Sequence, residues 1–318
     1  MTELHHIPAA LILPLLLAVS CTKHSPEQDR SAIAFAPAPH TKSIVEAPAD
    51  MQRFAVWGYF TPEGNTASEE IFSRTEVYRP DDGFGDWTYG SPRYWTEGSY
   101  RFYAVHPFPD TTAVKAACTD GTGLTIDFSS PAADIDLMTA AATRTYSAAN
   151  PASADAVPLD FGHLLARVSI VVSTQGGEIT INSLKFSGMH IAGTCSYTPA
   201  AASAADQVKW TVDDGAQDGT GLFTLVSDAE ALSGERTYAD LLLIPGQDPS
   251  ASTVNLVYTV GSSEAETVSM NLPAAPLWEC GKRYTYTITV KPGSAELNIH
   301  VNEWNEFGDY SDDYPVRW

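Results

Sequence analysis

The chain has 318 residues and a formal net charge of −21, from 18 Lys and Arg against 39 Asp and Glu. That length allows two ordinary domains with a sizeable core, while so acidic a surface repels nucleic acid and anionic lipid, and no basic block offsets it. Four widely spaced cysteines exclude a disulfide-stapled scaffold, and without CxxC, HExxH or a Cys/His cluster no metal or other cofactor is expected.

The first element is residues 11–21, LILPLLLAVSC, an uncharged stretch too short to span a bilayer. Its end, Leu17 to Cys21, resembles the lipobox of bacterial lipoproteins. That implies a signal peptide over 1–20, with Cys21 lipidated as the first mature residue. The alternatives are an ordinary secretory leader or a buried apolar strand. No later run is long enough to cross a membrane, so attachment depends on Cys21. Residues 21–53 read as a Pro- and Ala-rich tether with one strand-like island. There Ile33 and Phe35 share a face, Ala32, Ala34 and Ala36 take the other, and Pro37 and Pro39 close it. A strand so short either stays disordered or pairs with an edge of the folded body.

From residue 54 short strands alternate with turn signals. FAVWGYF (54–60) is apolar on both faces, as in a strand buried between layers. Residues 87–95, rich in aromatics with Gly90 and Pro92, read as a hairpin or a loop covering an edge. Further strands are expected at 100–105, 124–128, 168–173, 179–186, 208–212, 222–226, 241–244, 254–260, 282–290 and 297–301. In the segment 282–290 Tyr284, Tyr286, Ile288 and Val290 face one way, opposite Arg283 and three threonines, which predicts a half-buried antiparallel strand. Trp304 breaks the parity of the following strand and marks a bulge or an end. Helical signals are few: Asp160 as a cap for a turn through 161–167, and an alanine-rich stretch over 136–150 without a clean apolar face. This pattern predicts an all-β chain of two antiparallel β-sandwich domains in tandem, at 54–174 and 175–318, joined near STQGG at 173–177.

Several collinear segments together resemble the fimbrillin family of Bacteroidia, subunits of type V pili exported as lipoproteins. They are the lipobox, FAVWGYF, RYWTEGSYRFYAVHPF (93–108), DLMTAA (136–141), VPLDFGHLLARVSIVV (157–172), LLLIPGQ (241–247), PLWECGKRYTYTITV (276–290) and VNEW (301–304). The resemblance implies two transthyretin-like sandwiches and a non-enzymatic role in a fimbrium at the outer membrane and cell surface, supporting adhesion and biofilm formation. It also implies assembly by strand exchange. A trypsin-like protease removes an N-terminal strand that fills a groove, and a C-terminal strand of another subunit replaces it. Mapped here, the removable strand carries Ile33 and Phe35, and Lys42 and Arg53 are the basic candidates for cleavage. The donated strand lies in 310–318, where Tyr314, Val316 and Trp318 alternate.

Catalytic readings of the same residues compete with these. His163 with Asp160 and Ser169 suggests a triad but lacks a nucleophile elbow. Pairing Cys118 with His106, or Cys195 with His190, matches no local signature. Acidic pairs such as Asp81/Asp82, Asp134/Asp136 and Asp312/Asp313 lack calcium-loop spacing and read as solvated turns. The alternative to a fimbrial subunit is a monomeric surface lipoprotein that binds glycan or host protein through aromatic loops containing Trp57, Trp87 and Trp95 with Tyr89 and Tyr94. Core filling is the competing reading for those rings.

Overall fold

A computed structural model of the chain describes residues 31–39, 51–80, 86–119, 121–212, 221–291, 293–304 and 313–314. In chain order its first strands are β1 (Phe35–Pro39), β2 (Arg53–Pro62), β3 (Glu69–Tyr78), β4 (Gly98–His106), β5 (Val114–Thr119), β6 (Gly123–Ser129), β7 (Met138–Tyr146) and β8 (Val157–His163). Then come β9 (Ala166–Thr174), β10 (Ile179–Ser187), β11 (Ala192–Tyr197), β12 (Val208–Val212), β13 (Leu222–Val226), β14 (Glu230–Leu232), β15 (Glu235–Leu243) and β16 (Thr253–Val260). The last are β17 (Glu266–Asn271), β18 (Lys282–Lys291), β19 (Ser294–Glu303) and β20 (Asp313–Tyr314). Among the described residues the α-helical part is one turn, α1 (Ala204–Gln207), where the Ser203 hydroxyl caps the Asp206 amide. The chain is all-β, as its strand periodicity predicts.

A six-stranded sheet, β1-β8-β7-β4-β2-β3, lies over a four-stranded one, β12-β11-β6-β5. Between them Ala55, Trp57, Tyr103, Ile126, Phe128 and Cys195 form one core. The other face of the six-stranded sheet is also apolar: Phe54, Val56, Phe72, Phe102 and Phe161 join Trp95, Ile33 and Phe35. Successive residues of β2 therefore point into two different cores, which explains why FAVWGYF is hydrophobic at every position. A second sandwich sets β13-β10-β16-β17, with β14 beside β10, against β15-β9-β18-β19-β20. Ile170, Ile181, Phe186, Tyr258, Trp278 and Tyr286 pack in its middle.

The expected joint at 173–177 is the β9–β10 turn, where Gly176 and Gly177 take positive φ. It does not divide the sheets. β9 pairs forward with β15 and β18, while β11 returns to pair with β6. Pairing thus crosses the line drawn between 54–174 and 175–318, since a Gly pair marks a tight turn as readily as a linker. The strand at 282–290 is half of what its pattern predicts. β18 is antiparallel to β19 but parallel to β9, so it is central to its sheet.

Two helical suggestions are corrected: 161–167 belongs to β8, its connection and the start of β9, and 138–146 is β7. Short alanine-rich strands carry little β-propensity, and burial against neighbours decides them. Of the two readings of residues 87–95 the loop holds, spread over the outer face of the six-stranded sheet with 93–95 beside residues 31–33. It is tied down by a bridge between Tyr78 and Thr88.

Candidate functional site

The outer face of the six-stranded sheet carries a groove, and residues 31–37 lie in it. On one side β1 runs parallel to β8, with Phe35 opposite Val157 and Pro37 opposite Leu159. On the other side the Ile33 amide donates to the Arg93 carbonyl at 2.7 Å, and the Trp95 amide donates to the Ser31 carbonyl at 3.1 Å. The Val157 amide donates to the Ala34 carbonyl at 2.8 Å, and the Tyr89 hydroxyl to the Ile33 carbonyl at 2.6 Å. The segment is thus hydrogen-bonded along both sides, the arrangement expected of an inserted strand.

Side chains alternate as the sequence predicts. Ile33, Phe35 and Pro37 are buried, and Ser31, Ala32, Ala34 and Ala36 are exposed. The alanines face solvent, not a covering layer. Phe35 meets Phe72 at 5.4 Å, Phe102 at 5.5 Å and Tyr89 at 5.9 Å, all edge to face. Gly58 makes that nest possible, because a Cβ there would come within 2.7 Å of the Phe72 ring and 3.1 Å of the Phe102 ring. Burying Ile33 and Phe35 contributes about 1.5–3 kcal/mol each before the entropy of ordering the segment. Taking the segment away would expose Phe72, Trp95 and Phe102 to water.

The other expected site residues are dispersed. Cys21, Lys42, Val316 and Trp318 lie outside the described residues. Arg53 opens β2. Its backbone pairs with Tyr78, its guanidinium donates to Glu76 at 3.2 Å and Asp110 at 2.6 Å, and it rests over the Phe108 ring. A protease needs an extended substrate free to enter its cleft, so cutting after Arg53 requires β2 to unravel. Tyr314 belongs to β20, which lies against β19 with Tyr314 opposite Ile299. Of the floor residues, Phe72 and Phe102 have no assigned role in the sequence, and Tyr89 reads there as one of the rings available to glycan rather than as part of the groove.

The catalytic alternatives come apart. His163 bonds Asp136 at 2.9 Å, not Asp160, and stacks on Trp304 with ring centroids 4.0 Å apart. Ser169 donates to Asp240 instead. His106 contacts the Arg53 carbonyl, and the His190 backbone is held by Gln247. Cys118, Cys195 and Cys280 are free thiols, and burial pushes Cys195 up strongly and Cys280 to about 11. Neither is poised as a nucleophile. Trp57 and Trp95 fill cores, and Trp87 packs on Phe54 at 5.0 Å. Of the aromatic set proposed for glycan, Tyr94 is the one half-exposed ring, at 49 %. Among the described residues no group of His, Cys, Asp or Glu is placed to hold a metal, and no helix is long and apolar enough to cross a membrane.

The chain is an all-β double sandwich with its own N-terminal strand inserted in a groove, and comparison with known proteins says which family has that fold. The fimbrillin-like family model matches residues 45–304, and the chain belongs to that family. Its fold is shared with a proposed cell adhesion protein from Bacteroides ovatus, at 17 % identity and TM-score 0.56 over 88 % of this chain and 99 % of the other. A similar protein from Bacteroides uniformis matches at 19 % and 0.52, over 88 % and 100 %. A fimbrial protein from Bacteroides vulgatus matches at 15 % and 0.52, over 86 % and 99 %. No curated protein matches. Membership makes this chain a fimbrillin-like protein, which supports a fimbrial role at the cell surface.

Proposed function

We propose that the chain is a structural subunit of a fimbrium, exported to the outer membrane as a lipoprotein on Cys21 and assembled by protease-triggered strand exchange. The observation that carries this reading is the seating of Ile33 and Phe35 in the groove, on a segment that residues 40–50 connect along the chain to the body, which resumes at the buried Met51. Cleavage in that connection leaves the strand held by non-covalent contacts alone. A trypsin-like protease acting after Lys42 releases it, and the Tyr314, Val316 and Trp318 strand of another subunit takes its place. Adhesion and biofilm formation would follow from the polymer.

Swapping equivalent strands leaves burial nearly unchanged, so an uncut chain has little drive to polymerise. The test is limited trypsin treatment of delipidated protein, followed by a denaturing gel without boiling. A ladder of higher species is expected from cut protein and monomer from uncut protein. Cleavage between residues 40 and 52 without any ladder, or long polymers from uncut protein, would sink the mechanism. In the same assay Lys42→Gln is expected to block release, while Arg53→Gln leaves it intact.

A further inference from the structure

Away from the groove, an open cleft of about 760 Å³ lies between β12, the edge strand of the four-stranded sheet, and two loops of the second sandwich, 245–251 after β15 and 278–280 before β18. One wall is apolar, because Val208, Trp210 and Val212 alternate along β12 and share the face that lines the cleft. Side-chain donors around it are already engaged. The Trp210 indole donates to the Leu164 carbonyl at 3.0 Å, the Cys280 thiol to the same oxygen at 3.4 Å, and the Trp278 indole to the Tyr286 hydroxyl at 3.0 Å. The buried Gln247 amide donates to the Ile244 and His190 carbonyls at 2.7 and 3.1 Å. These bonds fix the wall, and they leave Trp210 offering π surface and no donor. The lining also holds one histidine, His190, and two carboxylates on exposed residues, Asp248 and Glu279, but no Lys or Arg. Lys209, between Val208 and Trp210, belongs to the other face of β12 and pairs with Asp206 at 3.0 Å. The Ser250 amide, donating to Asp248 at 2.9 Å, holds that carboxyl below the usual carboxylate range.

We propose that this cleft is a binding site for a cationic side chain, an arginine presented by a basic peptide segment of a partner protein. A guanidinium carries donors and no acceptor, and its flat face stacks on an indole. It therefore matches a cleft that supplies π surface and carboxylates. An anionic ligand meets two like charges there. A sugar ring can also stack on an indole, but its hydroxyls accept as well as donate, and the engaged donors of the wall leave those lone pairs unanswered. The whole chain, at −21, steers a basic partner inward and repels an acidic one. The site shares no residue with the groove core and stands independently of strand exchange.

The test titrates the uncut full chain with a fluorescent peptide, acetyl-GRGRG-amide, at low ionic strength and at about 150 mM NaCl. Binding is expected in both, weaker in salt. Asp248→Asn combined with Glu279→Gln is expected to weaken it about tenfold, and Trp210→Leu about fivefold. Glu235→Gln combined with Glu264→Gln removes the same charge from exposed positions outside the cleft and is expected to weaken binding by less than about twofold. The lysine analogue, acetyl-GKGKG-amide, is expected to bind about threefold more weakly, since an ammonium lacks the flat face. Melting curves check that Trp210→Leu folds. If it does not, the carboxylate pair still decides, because those substitutions remove no packed ring. Equal weakening by the two carboxylate pairs would show attraction to net charge alone and overturn the site. So would the absence of measurable binding, or displacement of the peptide by a neutral disaccharide such as maltose, which would mark a glycan cleft.

Discussion

At the scale of single residues, Phe35 carries the seating of the N-terminal strand. Truncating a buried Phe in a core costs about 3–5 kcal/mol, but a strand held at an edge can leave its groove instead of enclosing a cavity. The loss in Phe35→Ala is therefore capped by the docking free energy of the segment. Expected is a several-fold faster tryptic cut after Lys42, with the main melting transition lowered less than by Phe186→Ala in the second sandwich. Asp240 offers a pH signature. Burial alone would raise its carboxyl, but bonds from the Arg167 guanidinium and the Ser169 hydroxyl hold it below the usual carboxylate range. A depressed folded-state pKa gives stability that is present above the unfolded value of 3.8 and lost as pH falls through the folded one. Asp240→Asn is expected to lower the urea midpoint at pH 7 and to differ little from wild type near pH 2.

At the scale of elements, legibility followed regularity. β16 and β18 keep period two without interruption and were readable residue by residue. β3 was missed because Arg74 takes a positive φ and the β2–β3 register shifts between Val56 and Gly58, so its apolar positions, Phe72 and Val77, fall out of phase. That slip hid Phe72, one of the three rings that grip Phe35. The groove strand itself was legible, as Ile33 and Phe35 alternating with alanines, but its partners were not, because β8 and the 93–95 loop are remote in sequence. Gly58 follows from the same geometry: Gly58→Val should displace Phe72 and loosen β1, read as faster amide exchange at Val157 than in wild type.

At the scale of the molecule, the charge read from composition acts on assembly rather than on fold. At a net charge of −21, two such chains repel until their charges are screened. Ladder formation by cut protein is expected to speed up several-fold from about 20 mM to about 300 mM NaCl, where the Debye length falls below ~10 Å; a rate independent of salt would show that encounter is not electrostatically limited. The number of sandwiches was legible from length and strand spacing. Their division was not, since β9 and β11 pair across the glycine turn at 176–177, and only long-range register reveals such exchanges.

The way residues 31–37 lie in the groove also has a mechanical meaning. Tension along a strand that lies flat loads all its rungs together, in shear, whereas tension across it breaks them one after another. Phe35 wedged among Phe72, Tyr89 and Phe102 acts as a peg against sliding. A junction threaded into the same groove would therefore resist being pulled along the fibre far better than being peeled from one end, which is the loading a filament tethered in flowing liquid experiences.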